Sequence, residues 1–262
     1  MASDFKTVLL HYADGITTLT LNRPEKRNAI SFELLEELMK SLDQVAKSDA
    51  GVLIITGAGK AFCAGLDLEN LKALLGKSHD ENLKDSAFMA QLFRRIYEFP
   101  LPTIAAVNGA AVAGGTGIAT MCDFTLAVPE AKFGYTEVRI GFVPAIVSSF
   151  LVMQVGHKVA RDLLLTGRLF DAHEAHRWGL VNEVLEPARL LPRAHELAHS
   201  LLENSPSSVR LTKKLINGFI APQLDAQIAR AVQDNARIRT TADFREGISA
   251  FLEKRKPQWS GK

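Results

Sequence analysis

The chain has 262 residues, of which 47% are hydrophobic and 23% charged, and a net charge of +2. That length and composition suit a sizeable core, built as one large domain or as one domain with a helical appendage. The near-neutral balance excludes a global field of the kind that gathers nucleic acid, and no run of about 18 apolar residues is present to cross a membrane as a helix. The two cysteines, Cys63 and Cys122, form neither a disulfide framework nor a metal pattern. Both lie in apolar, glycine-rich surroundings and read as small buried hydrophobes suited to a reducing compartment. The first residues, Met1 to Lys6, carry no apolar signal core and no arginine-rich transit pattern, so a cytoplasmic protein is expected.

In chain order, Thr7 to Leu21 reads as two strands joined by a turn at Ala13-Asp14-Gly15. Ser31 is placed to cap a helix whose apolar residues Leu35, Leu38, Met39, Leu42 and Val45 fall at helical spacing. Val52 to Thr56 is a wholly apolar strand of buried type. From Asp67 to Ser86 the chain turns polar and mixed, which predicts a mobile segment, and a helix is expected from about Asp85 to Glu98. A strand from Thr103 to Val107, a short helix opened by Gly114-Gly115, and a strand from Phe124 to Val128 follow. Phe133 to Pro144 reads as a loop with one carboxylate, Glu137, among apolar neighbours. From Val147 the chain is mainly helical. A capping-box-like start stands at Asp171 to Glu174, a last short strand lies within Gly179 to Val184, and helices begin near Leu190, Ser207, Leu224 and Ala242. The apolar stripes of these last helices require a partner surface, in the same chain or in another subunit.

Two stretches carry the chemistry. Asn108 to Asp123 leaves an apolar strand through Asn108-Gly109 and enters a helix at Gly114-Gly115; Gly57 to Asp67 leaves Val52–Thr56 through Gly57-Ala58-Gly59 in the same manner. A helix start leaves backbone N–H groups without partners, and glycine lets a ligand oxygen approach them closely. One such junction can be an anion site, an oxyanion hole or simply a tight turn into a packed helix. Two in one domain can aim two N–H groups at one oxygen.

Together these stretches resemble the enoyl-CoA hydratase/isomerase (crotonase) family, and the resemblance runs over essentially the whole chain. It implies an α/β fold, a spiral of β-β-α units followed by a C-terminal helical region. The core would take residues 1–195 and a trimerisation region 196–262, assembling as a homotrimer or hexamer. It further implies an acyl-CoA thioester substrate, with coenzyme A part of that substrate and no separate cofactor. The thioester oxygen would lie between the N–H groups of Leu66 and Gly114, and Glu137 would be the acid/base. A thioester enolate carries negative charge on that oxygen, so preformed donors stabilise it more than the neutral ground state. Matched to the family pattern, Lys26 and Arg27 would run along the CoA. Carbonyls around Ala64 would accept from its adenine amino group. Phe251 and Lys254 would reach the CoA of an adjoining subunit, Lys254 as a point charge beside a phosphate.

The sequence departs from the hydratase pattern in two places. Hydratases of the family carry a second glutamate three residues after the oxyanion glycine, where this chain has Gly117; the usual Pro-Gly-x-Gly-Gly loop is replaced by Pro144-Ala145-Ile146-Val147-Ser148. Enoyl-CoA hydration is the first expectation. Isomerisation of a 3-enoyl-CoA to the 2-enoyl form stands close behind it, and a non-catalytic acyl-CoA-binding protein is the remaining alternative. Gly57-Ala58-Gly59-Lys60 lacks P-loop spacing, no dinucleotide fingerprint is present, and His173 with His176 lacks a third metal ligand. Thr116 lacks the His and Asp partners of a nucleophile.

Overall fold

The computed structural model describes residues 5–262. The chain opens with β1 (Val8–Ala13) and β2 (Ile16–Leu21), an antiparallel hairpin turned at Asp14 and Gly15, both at positive φ (50° and 76°). Helix α1 (Phe32–Ala46) is capped by Ser31, whose Oγ accepts from the Leu34 N–H at 3.1 Å. Three successive turns of the chain then share one plan. Strand β3 (Val52–Gly57) passes directly into the short β4 (Ala61–Cys63) and on to helices α2 (Leu68–Ala73) and α3 (His79–Tyr97). Strand β5 (Thr103–Val107) passes into β6 (Ala110–Val112) and helix α4 (Gly114–Thr120). Strand β7 (Phe124–Ala127) passes into β8 (Lys132–Gly134), a 3-10 turn at Glu137–Ile140 and helix α5 (Ala145–Thr166). The strands β9 (Phe170–Asp171) and β10 (Glu183–Val184) flank α6 (Ala172–Arg177).

The long strands form one sheet in the order β1-β2-β3-β5-β7-β10, and the short ones form a second in the order β4-β6-β8-β9. Each β-β-α turn therefore contributes one strand to each sheet, which is the expected spiral. Because β3, β5 and β7 are buried along their length and pair in parallel, they read as continuous apolar runs rather than as alternating patterns.

The C-terminal helices are α7 (Pro187–Leu202), α8 (Pro206–Gly218), α9 (Ala221–Ile238) and α10 (Ala242–Leu252). Helix α7, which contains residue 195, lies on the large sheet against β3, β5 and β7. Helix α9 packs between α3 and α5, burying Leu224 and Ile228, and α10 covers α2 and the Glu137 turn. These stripes thus find partners within the same chain. Helix α8 differs: it buries no residue and leaves Leu211, Leu215, Ile216 and Phe219 exposed on one side.

One feature was not foreseen here, and one sequence expectation fails. The second sheet was not anticipated, since strands of two or three residues rich in Ala and Gly show no periodicity. The segment 67–86 is not a mobile loop: it is helical apart from a short link, and α3 begins at His79 rather than Asp85. The signal was present, because Ser78 and Glu81 form a reciprocal capping box.

Candidate functional site

The two glycine junctions meet because β4 and β6 are parallel neighbours in the small sheet, with Ala61 opposite Ala110 and Cys63 opposite Ala111. Their contact is too close for side chains. A Cβ on Gly115 would lie 2.2 Å from the Cys63 carbonyl oxygen, and one on Gly109 would lie 2.2 Å from that of Lys60. A Cβ on Gly65, itself at φ +88°, would lie 3.0 Å from the Val112 oxygen. Glycine at these positions brings backbone against backbone.

The geometry also decides which N–H groups stay free. Ile30 donates to the Gly65 carbonyl (2.7 Å) and accepts from the Asp67 N–H (3.0 Å). In a parallel bridge the residue between those two faces the opposite side, so the Leu66 N–H turns away from Ile30. On the other junction, Ala113 sits at φ 50°, ψ −119°, a conformation an alanine adopts only when its surroundings hold it there. Its N–H donates to the Gly134 oxygen at 2.7 Å, and the next residue, Gly114, is the first of α4. Buried Thr116 clips the arrangement from behind, its one hydroxyl proton shared between the carbonyls of Ala111 (2.7 Å) and Gly134 (3.0 Å). Among the described residues neither the Leu66 nor the Gly114 N–H has a protein acceptor. Both residues line one cavity of about 490 Å³.

Glu137 lines the same cavity. Its turn is pinned at both ends: Phe133 stacks on Phe170 at 5.8 Å between ring centroids, and Gly141 presses so closely on α10 that a Cβ would lie 2.2 Å from the Asp243 oxygen. The residue as a whole is half-buried, yet its Oε2 is closed off from water and has no hydrogen-bond partner. Desolvation pushes the carboxyl from 4.5 up to about 7, opposed by a hydrogen bond from its own backbone N–H. Arg139 forms no ion pair with it among the described residues. A carboxyl that titrates near neutrality, beside two free donors, can move a proton at a carbon or at water while charge gathers on a nearby oxygen.

The enoyl-CoA hydratase/isomerase family profile matches residues 11–262 of this chain. A Thermus thermophilus protein provisionally named an enoyl-CoA hydratase is 46% identical over 246 residues, covering 93% of this chain and 97% of its own. The 1,2-epoxyphenylacetyl-CoA isomerase of Escherichia coli is 36% identical over 97% of this chain and 98% of its own. The chain belongs to the enoyl-CoA hydratase/isomerase family. The fold agrees: the crystal structure of an enoyl-CoA hydratase/isomerase from Xanthobacter autotrophicus superposes with a TM-score of 0.88 at 28% identity, covering 95% of this chain and 97% of the other.

Within this family the replacement at Gly117 has a structural counterpart. A Cβ there would lie 2.7 Å and 2.9 Å from two ring atoms of Phe93 and 3.0 Å from Val147 Cγ1. The space where the resemblance led to the expectation of a second glutamate holds an aromatic ring and a branched aliphatic side chain. The altered loop supports this wall, because Pro144, Ala145, Ile146 and Val147 all line the cavity and the last three begin α5.

The residues expected along the CoA fall in two groups. Lys26 and Arg27 are exposed on a turn held by buried Asn28, whose Nδ2 donates to the carbonyls of Ala58 (2.9 Å) and Ala61 (2.8 Å). The Ala64 N–H donates to the Arg27 carbonyl at 3.0 Å, so that turn is tied to the first junction, and Ala64 itself lines the cavity. Phe251, half-exposed on α10, lines the cavity of its own chain; Lys254 is exposed at φ 56° and stands outside the lining. Of the apolar neighbours of Glu137 in sequence, Phe133 is part of the core, whereas Phe142 and Val143 stand in the lining.

Several residues at the site carried no readable signal. Arg23 pairs with Asp67 at 2.9 Å, both largely buried, fixing the start of α2 beside Leu66. Arg239 and Asn70 lie in the cavity wall, brought there by α9 and α2 from distant parts of the chain.

Proposed function

We propose that the protein hydrates 2-enoyl-CoA thioesters. The observation that carries this reading is Glu137, a carboxyl raised toward neutrality by burial, in the wall of the same cavity as the acceptorless N–H groups of Leu66 and Gly114. The thioester oxygen would accept from both N–H groups. The ionised Glu137 takes a proton from a water molecule as that water's oxygen bonds to the β-carbon. The displaced electron pair moves onto the thioester oxygen as an enolate, which the two N–H groups stabilise; one such donor contributes about 3 kcal/mol in comparable sites. The enolate then collapses as Glu137 returns the proton to the α-carbon.

Lys26, Arg27 and Ala64 form the CoA track in this reading, supported by the hydrogen bond that ties their two segments together. Phe251, in the cavity wall, and Lys254 are assigned to the CoA of an adjoining subunit, Lys254 supplying charge for a phosphate. Coenzyme A enters as part of the substrate, and no further cofactor is required. The exposed apolar side of α8 supports assembly into a homotrimer or hexamer. Among the described residues no helix is long and apolar enough to cross a membrane. The buried Cys63 and Cys122 thiols suit the cytoplasm.

The filled space at Gly117 favours a second reading, isomerisation of a 3-enoyl-CoA. There a single carboxylate takes a proton from the α-carbon and returns it to the γ-carbon, and no water is needed. One assay separates the readings. Purified protein is mixed with a short 2-enoyl-CoA and the conjugated thioester absorbance is followed. Its rapid loss supports hydration. Stable absorbance, together with its appearance from a 3-enoyl-CoA, assigns the isomerase. Binding of both thioesters with neither reaction overturns the catalytic reading.

A further inference from the structure

The chain turns back on itself at the end of α10. Lys254 stands in the left-handed region at φ 56°; its N–H donates to the Phe251 carbonyl (3.2 Å), and the Arg255 N–H donates to that of Ala250 (2.9 Å). This pair of bonds closes many helices, commonly with glycine in the left-handed position. Here it reverses the chain. Arg255 to Lys262 then run, outside any helix or strand, back to the first turn of α10, where the Asp243 N–H donates to the Lys262 carbonyl at 3.2 Å.

Two carboxylates of α10 hold the returning segment. Asp243 and Glu246 are three residues apart, a spacing that places them on one side of a helix. Glu246 accepts two guanidinium N–H groups of Arg255 (2.5 and 2.9 Å) and the Gln258 N–H (2.7 Å). Asp243 accepts the N–H and the hydroxyl of Ser260 (2.7 and 2.9 Å) and the Gly261 N–H (3.0 Å). Backbone donors that have no ladder of their own thereby find acceptors. A lone exposed ion pair contributes little, but a bidentate arginine and backbone N–H groups on charged oxygens bind more firmly. Hydrogen bonds from Arg255 and from the Gln258 N–H bring the Glu246 carboxyl down to about 2, so it is charged at neutral pH.

The segment reaches the cavity. Arg255 and Pro257 line it, together with Gly247 and Phe251 of α10. Helix α10 is in turn seated backbone to backbone on the turn that carries Glu137, where a Cβ on Gly247 would lie 2.3 Å from the Ile140 carbonyl. The proposed reaction gives no task to Asp243, Glu246 or Pro257, yet these residues fix and form one part of the wall.

Resting on the reading of the cavity as an acyl-CoA site, we infer that Arg255 to Gly261 is a strap that completes the substrate-binding wall, and that Asp243 and Glu246 are positioning residues for substrate binding, acting by holding Arg255 and Pro257 in place. The two equilibria are then linked. If a docked strap strengthens binding of the thioester, the bound thioester strengthens docking of the strap by the same factor.

The test uses hexanoyl-CoA, a saturated thioester that neither hydration nor isomerisation consumes. Its dissociation constant is measured by titration calorimetry on the wild type, on a chain ending at Lys254, and on the Asp243→Ala/Glu246→Ala double variant. Both altered proteins should bind on the order of tenfold more weakly, within the usual span of coupling between sites. In the wild type, hexanoyl-CoA should slow amide exchange in the C-terminal peptide that holds Gln258, Ser260 and Gly261 by a comparable factor, followed by mass spectrometry. A strap that only stabilises α10 would lower the melting temperature of the altered proteins and leave both affinity and exchange unmoved, which overturns the inference. Weaker binding without slowed exchange overturns it too, since the effect would then lie elsewhere. Should the altered proteins fail to fold, the exchange measurement on the wild type decides. A wild type that does not bind hexanoyl-CoA overturns the acyl-CoA reading and the inference with it; binding that survives loss of the strap overturns the inference alone.

Discussion

Replacing Glu137 by glutamine should do two opposite things, and the structure sets the size of each. The carboxyl is raised from 4.5 to about 7 because its charged form is desolvated. A folded state that holds its proton more tightly than the unfolded chain is destabilised once that proton is lost. The cost is absent below pH 4.5, grows as pH rises toward 7, and is complete above it. At about 1.4 kcal/mol for each pH unit separating the folded and unfolded pKa values, the full cost is about 3 kcal/mol. Glutamine has the same shape and no charge to desolvate. Glu137→Gln should therefore match the wild type in acid and exceed it above neutrality, by roughly 5 °C in melting temperature for a chain of this length. Turnover should fall by about a hundred- to ten-thousand-fold, the usual contribution of a positioned acid/base. In the wild type the reaction needs the ionised form, so kcat/KM should rise tenfold per pH unit up to about 7 and then level off. The assays are melting curves at pH 5 and 8, a pH–rate profile, and the hydration assay on the variant. A variant that keeps its activity, or whose melting temperature tracks the wild type at both pH values, would refute the assignment of Glu137.

Gly115→Ala should part the two junctions, since its Cβ would stand 2.2 Å from the Cys63 carbonyl, a backbone atom that cannot rotate away. A drop of several degrees in melting temperature and loss of turnover are expected, and an unchanged protein would contradict the packing described. Gly117→Glu should cost about 1–3 kcal/mol from its clash with Phe93 and Val147, and adding Phe93→Ala should recover part of that loss because the two changes act on one space. Thermal denaturation of the single and double variants measures both effects; a fully stable Gly117→Glu would show that the wall yields.

Much of the local structure was readable because it depends on neighbours in sequence. The Asp14-Gly15 turn, the Ser31 cap, the buried strands β3 and β5 and the capping box at Asp171 all formed where the side chains asked for them. The small sheet was not readable. Its strands are two or three residues long, and what holds them is pairing between segments about twenty to fifty residues apart, such as Ala111 with Phe133 and Cys63 with Ala111. The segment after Asp67 was misjudged for a related reason: its polar residues do not face water throughout. Asn82 and Ser86 are buried against Asn235 and Arg239, which arrive from the other end of the chain.

The candidate site divides along the same line. Sequence alone marked the two glycine junctions and the lone carboxylate Glu137, which are local patterns with local reasons; the choice of Leu66 and Gly114 within those junctions came from the resemblance to the family. Whether the two junctions share one cavity, whether Glu137 is dry, and what fills the space beside Gly117 were settled by β4 lying beside β6, by α10 pressing on the Glu137 turn, and by the Phe93 ring of α3. Arg239 and Asn70 show the limit most plainly. Asn70 lies just past the Gly57–Asp67 junction, in a stretch that reads as a polar loop, and nothing near Arg239 marks it as part of a wall, since an arginine near a helix end ordinarily reads as a solvated charge. Only the packing of α9 on α3, which draws that arginine out of water beside a carboxylate already claimed by Lys77, gives it a place in the cavity.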